Sequence, residues 1–173
     1  MRCNNKAPKS ILALNMQQNI LSKSIQLHKK ISPIFIKIQY HIIYNKDYQN
    51  ISLKKIQAQH DVINNDFNKN NYDIIKIPTE GNYNFNDVVG NPSINFLPFI
   101  LTESDLIRKY TDHTSFTGIN DVLLKSGSPP KNNILNVYIC NLPNLLGEAY
   151  VQNNKCAIFY KCIGGGGNSE DIN

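Results

Sequence analysis

From Ile34 to Tyr44 the chain alternates, with Ile34, Ile36, Ile38, Tyr40, Ile42 and Tyr44 on one parity and Phe35, Lys37, Gln39 and His41 on the other. A period of two held over that length predicts a long β-strand with one buried face, starting just after Pro33. Whatever follows must supply the cover for that face. His41 falls on the more polar parity and reads as a strand-surface histidine.

The period then changes. Asn45 to Asn50 has turn composition, and Ser52 is placed as an N-cap before Leu53, Ile56, His60, Ile63 and Phe67, which are spaced by three and four. This predicts a helix with an apolar stripe, ended by the Asn64-Asn65-Asp66 to Asn71 stretch. His60 interrupts the stripe. No second ligand lies one turn away, so it reads as a neutral core histidine satisfied by one hydrogen bond rather than as a metal ligand.

Residues 78 to 92 carry Pro78, Gly81, Gly90 and Pro92 and predict a loop, followed by a strand from Ile94 to Leu97 that Pro98 stops. A long excursion from Thr102 to Asn133 contains a short helical candidate around Asp105 to Tyr110 and the breaker Ser126-Gly127-Ser128-Pro129-Pro130. Ile134 to Cys140 is almost continuously apolar, as a strand covered on both faces would be. Short strands are expected at Glu148 to Val151 and Cys156 to Tyr160. The run Gly164 to Gly167 lacks the Gly-Lys-Ser or Gly-Lys-Thr ending of a phosphate loop and reads as a linker. Upstream, Ile11, Leu14, Leu21 and Ile25 predict an amphipathic helix over residues 11 to 30. A strand, a long helix and further strands joined by crossovers give an α/β architecture with a mostly parallel sheet.

At 173 residues the chain is long enough for one domain with its own core. Its net charge of +5 comes from scattered basic residues that nowhere interleave with aromatics along a strand, which argues against a nucleic-acid partner. No apolar run approaches the ~20 residues of a transmembrane helix, and no signal peptide is recognisable. Cys3, Cys140, Cys156 and Cys162 contain no CxxC pair. If 156 to 162 is one strand, Cys156 and Cys162 lie about 20 Å apart on it, beyond disulfide reach. Cys140 is placed either to pair with one of them or to remain a buried thiol. His28, His41, His60 and His113 include no pair at i and i+4, so no HExxH zinc motif is present.

The order of segments is itself informative. Gln39 to Tyr44, Ser52 to Phe67, Gly90 to Phe96, and above all Leu135-Asn136-Val137-Tyr138-Ile139-Cys140-Asn141-Leu142 followed by Leu145-Leu146-Gly147-Glu148-Ala149-Tyr150, resemble the first half of a pappalysin-type metzincin zinc endopeptidase. The last pair is similar to that family's LNIWVCNL and LLGYA segments. The chain departs from the pattern at His60, where the family has an apolar residue, and at Glu148, where it has an aromatic.

The resemblance implies a metzincin-like upper subdomain over residues 31 to 173, with a twisted, mostly parallel sheet, an antiparallel edge strand and one backing helix. Residues 1 to 30 would form a propeptide-like helical segment. It implies that Gly147, Glu148 and Ala149 lie on the edge strand that pairs with an extended peptide substrate, and that Cys3, in Arg2-Cys3-Asn4, stands where family propeptides carry a zinc-binding latency cysteine. Zinc is implied for the complete family domain. The helix bearing HExxHxxGxxH would come next and is missing, so the chain alone is expected to bind no zinc and to be catalytically silent. Two alternatives are a peptide-binding module that captures without cutting, and an enzyme half completed in trans by a separately encoded part.

Overall fold

The structure, a computed structural model, describes residues 32–77, 90–150 and 153–164. The expectations for residues 1 to 30, Cys3, the 78 to 89 loop and the glycine run beyond Gly164 fall outside the described residues.

Among the described residues six strands and two helices organise the fold. Strand β1 (Ile34–Tyr44) is its axis. β1 pairs in parallel with β2 (Ile94–Leu97) through its first four residues, with β3 (Leu106–Tyr110) through Tyr40 to Tyr44, and with β4 (Leu135–Cys140) through Ile38 to Ile42. β4 pairs in parallel with β6 (Lys155–Phe159), and β6 pairs antiparallel with β5 (Gly147–Tyr150), which ends the sheet. The mixed α/β class, the mostly parallel sheet and the antiparallel edge strand are those expected from the sequence.

Helix α1 (Leu53–Phe67) begins at Ser52, whose side chain accepts from the Lys55 N–H. It covers the face carrying Ile38, Tyr40 and Ile42 of β1 and Val137 and Ile139 of β4, with Ile56 fully buried against them. The apolar stripe is shorter than its spacing suggests, because Phe67 at the last turn is 39% exposed.

Helix α2 (Ile119–Lys125) covers the opposite face, where Ile119 and Val122 pack with Phe116 on Ile43, Tyr138, Cys140 and Ala157. The sheet is thus sandwiched, and β1 from Ile38 to Ile43 and β4 from Asn136 to Cys140 are buried on both sides.

Two local expectations are corrected. Leu106–Tyr110 is strand β3, preceded by a 3₁₀ turn at Glu103–Asp105, and not a helix. Its pairing with β1 overrides a weak local preference. His41 is fully buried and not a surface residue. The segment from Ser126 to Asn136 folds over its parity of β1: Ser128 Oγ lies 2.8 Å from His41 Nδ1, Asn136 Oδ1 lies 3.0 Å from Nε2, and the Tyr138 ring stacks on the imidazole at 4.3 Å. Asn136 is held in turn by the Lys131 and Ile134 carbonyls, so its Oδ1 faces the ring and Nε2 carries the proton.

Candidate active site: the β5 edge

Strand β5 is in register with β6 as Gly147↔Ile158, Glu148↔Ala157, Ala149↔Cys156 and Tyr150↔Lys155. The Phe159 N–H donates to the Leu146 carbonyl at 2.9 Å, which makes 146 and 159 a hydrogen-bonded pair. In an antiparallel ladder such pairs alternate with non-bonded ones. Glu148 and Tyr150 therefore turn their main-chain groups inward to β6, and Gly147 and Ala149 turn theirs outward, along the end of the sheet. Gly147 is needed for this approach: a Cβ there would lie 3.0 Å from the Ala157 carbonyl oxygen.

The side chains alternate by face. Those of Glu148 and Tyr150 share the α2 side with Ala157, and both reach the start of that helix. Glu148 Oε2 accepts from the Ile119 N–H at 2.8 Å, and Asn120 Nδ2 donates to the Tyr150 hydroxyl at 2.9 Å. Sequence reading singled out Glu148 but not Gly118, Ile119, Asn120 or Tyr150. The only local signal for α2 was the spacing of Ile119, Val122 and Leu123 after Gly118.

At the other end of the sheet, the edge of β2 is closed. The outward groups of β2 are met by amide side chains from α1: Asn64 Oδ1 accepts from the Phe96 N–H at 2.7 Å, and Asn64 Nδ2 donates to the Phe96 carbonyl at 3.2 Å. Asn68 Nδ2 donates to the Ile94 carbonyl at 2.9 Å, and Gln57 bonds the Phe99 carbonyl and the Leu101 N–H. Asn64 thus does for β2 what a neighbouring strand would do, offering one donor and one acceptor to one residue. Among the described strands two edges stay outward: that of β5, the antiparallel strand ending the sheet, and that of β3, which pairs with β1 alone.

The histidines do not fit a catalytic zinc. Both ring nitrogens of His41 are engaged by Ser128 and Asn136, and those of His60 by the Tyr40 hydroxyl and the Phe96 carbonyl. Burial lowers the pKa of each below its ordinary value of 6.5, with Lys131 adding to the effect at His41. His113 lies beside Phe116. Among the described residues no three His, Cys, Asp or Glu side chains gather as a ligand set. Cys140, Cys156 and Cys162 are free thiols, and burial pushes the first two up to about 12 and about 11, which makes them poor thiolates. No helix among the described residues is long and apolar enough to cross a membrane.

No protein-family model matches the sequence, and no curated protein matches it either. Solved structures do. The chain is similar to mature mirolysin of Tannerella forsythia in complex with a cleaved peptide, at 29% identity and a TM-score of 0.65 over 82% of this chain and 58% of that one. It is similar to a promirolysin mutant of the same organism at 28% identity and a TM-score of 0.65, over 94% of this chain and 59% of that one. The chain therefore spans less than two thirds of the length of the structures it matches. Mirolysin is a metzincin-type metallopeptidase, and the fold described above is metzincin-like.

Proposed function

We propose that this chain is the peptide-holding part of a pappalysin-type metzincin metallopeptidase domain, and that the outer edge of β5 takes an extended peptide by main-chain pairing. The observation that carries the reading is the outward turn of Gly147 and Ala149 at the end of the sheet. An unfilled strand edge recognises a peptide through its backbone, so one donor and one acceptor at each of two alternate residues suit many sequences. The likeness to a mirolysin structure that holds a cleaved peptide supports it. So do the paired segments Leu135 to Leu142 and Leu145 to Tyr150, which favour the pappalysin subtype.

The partner is an extended polypeptide rather than a nucleic acid. Hydrolysis in the family uses zinc, His41 and His60 are committed to other bonds, and no ligand set gathers among the described residues, so these residues bind peptide without cleaving it. The chemistry then belongs to a zinc-bearing segment that these 173 residues do not contain.

The reading is tested with a fluorescein-labelled ten-residue peptide of alternating Val, Thr and Lys, followed by fluorescence polarisation, and a casein digestion with and without added Zn²⁺. Saturable binding that is lost when proline replaces the central residues, with casein left intact, is expected. Absence of binding, or chelator-sensitive digestion of casein, overturns it.

A further inference from the structure

Helix α2 has no side-chain cap of its own. Its N-cap position is Gly118, and the Thr117 N–H just before it is taken by Asp121 Oδ2 at 3.0 Å. The first helical donor, the Ile119 N–H, is instead met by Glu148 Oε2, from a strand 29 residues further along the chain. Gly118 makes the room, because a Cβ there would run into that same carboxylate oxygen. Ile119 is fully buried on Tyr138 and Ala157, so the helix end to which Glu148 is fastened is anchored in the core.

We propose that Glu148 is a positioning residue for peptide capture: its bond to the Ile119 N–H fixes the roll of β5 about its own axis, and so the direction in which Gly147 and Ala149 offer their main chain. The inference rests on the peptide-edge reading above. A four-residue strand at the end of a sheet is joined to its neighbour on one side only, and is free to twist about that ladder. Here alternate residues remove that freedom. Glu148 and Tyr150 are bound through their main chain to β6 and through their side chains to Ile119 and Asn120 of the helix on one face of the sheet. Gly147 and Ala149 bear side chains too small to hold the strand from the opposite face. At the position where the resembled family has an aromatic, this chain has a carboxylate, which accepts from the otherwise uncapped first donor of α2.

The test compares the parent chain with Glu148→Ala and Glu148→Gln, using the same labelled peptide and amide hydrogen exchange of the unliganded proteins. In Glu148→Ala the peptide Kd is expected to rise about tenfold, and the amides of Glu148 and Tyr150, which point to β6, to exchange about tenfold faster, with those of Val137 and Ile139 unchanged. Glu148→Gln keeps an oxygen that accepts from Ile119, and both readouts are expected within about threefold of the parent. Parental binding or parental β5 exchange in Glu148→Ala overturns the proposal. Equal acceleration in β4 and β5 overturns it as well, because it marks a general loss of stability. Should the parent bind no peptide, the peptide-edge reading fails while the exchange data still decide whether Glu148 holds β5.

Discussion

Tyr40 and His60 meet across the interface of β1 and α1, hydroxyl to Nδ1 at 2.9 Å, with both residues buried. His60 Nε2 faces the Phe96 carbonyl at 3.2 Å, and a carbonyl only accepts, so Nε2 carries the proton and Nδ1 accepts from Tyr40. His60→Leu leaves the Tyr40 hydroxyl buried without a partner and is expected to cost about 1–3 kcal/mol. Adding Tyr40→Phe removes the stranded group and is expected to restore part of the loss. Urea denaturation of the two single variants and the double reads this directly. A double variant no better than His60→Leu alone would show that the bond carries little weight.

Acid should weaken the fold through both buried histidines. Burial holds His41 and His60 below 6.5, so in that range the unfolded chain binds more protons than the folded one. Their contribution is complete above about pH 7 and is lost as pH falls from about 6.5 toward the depressed folded values, at a slope of up to about 1.4 kcal/mol per pH unit for each histidine. Glu103, Asp105 and Asp121 are held below the usual carboxylate range by Arg108, Thr102 and Lys125 respectively, so their titration lies at more acid pH. Denaturation at pH 7.5, 6.5 and 5.5 is the measurement. A flat profile across those three points contradicts the prediction.

Removing the amide of Asn64 should open the β2 end of the sheet. Asn64→Leu withdraws one donor and one acceptor from Phe96, at a cost of about 1–3 kcal/mol, and exposes strand backbone to other chains. Concentration-dependent self-association by light scattering is expected in this variant beyond any seen in the parent. An equally stable and equally dispersed variant would show that the amide ladder does not guard this edge.

Proline can report which way β5 faces. Ala149→Pro deletes an N–H that points outward, so it is expected to abolish peptide capture while lowering the melting temperature by only a few degrees. Glu148→Pro deletes an N–H directed to β6 and is expected to be far more damaging to the fold. The reverse ranking in thermal melts would mean that the alternation along β5 runs the other way.

Much of this was legible because it rests on periodicity. The alternation from Ile34 to Tyr44, the three-and-four spacing after Ser52 and the apolar run to Cys140 each state an element and its buried face without reference to anything distant. What escaped depended on partners remote in sequence. His41 sits on a polar parity, and only the return of Ser128 and Asn136 buries it. Leu106–Tyr110 has too few residues to declare a period, and its strand conformation comes from lying beside Tyr40 to Tyr44. Glu148 stood out as a departure from the family pattern the sequence resembles, but its partner on Ile119 became visible only once α2 had been placed.

The central position of β1 also governs how the chain reaches this state. Its strand partners lie roughly 60 to 100 residues downstream, so it cannot complete a single ladder until most of the sequence has been made. Loop closure over such distances comes before any pairing offsets it, which sets a slow, all-or-none search rather than a stepwise build from the N-terminal side. During that interval on the ribosome, the isoleucine-rich segment from Ile34 to Ile43 is an unpaired β-prone stretch. Until its partners emerge it is open to pairing with another nascent copy of itself, so yield in a cell depends on how quickly β2 and β3, and then β4, claim its two edges.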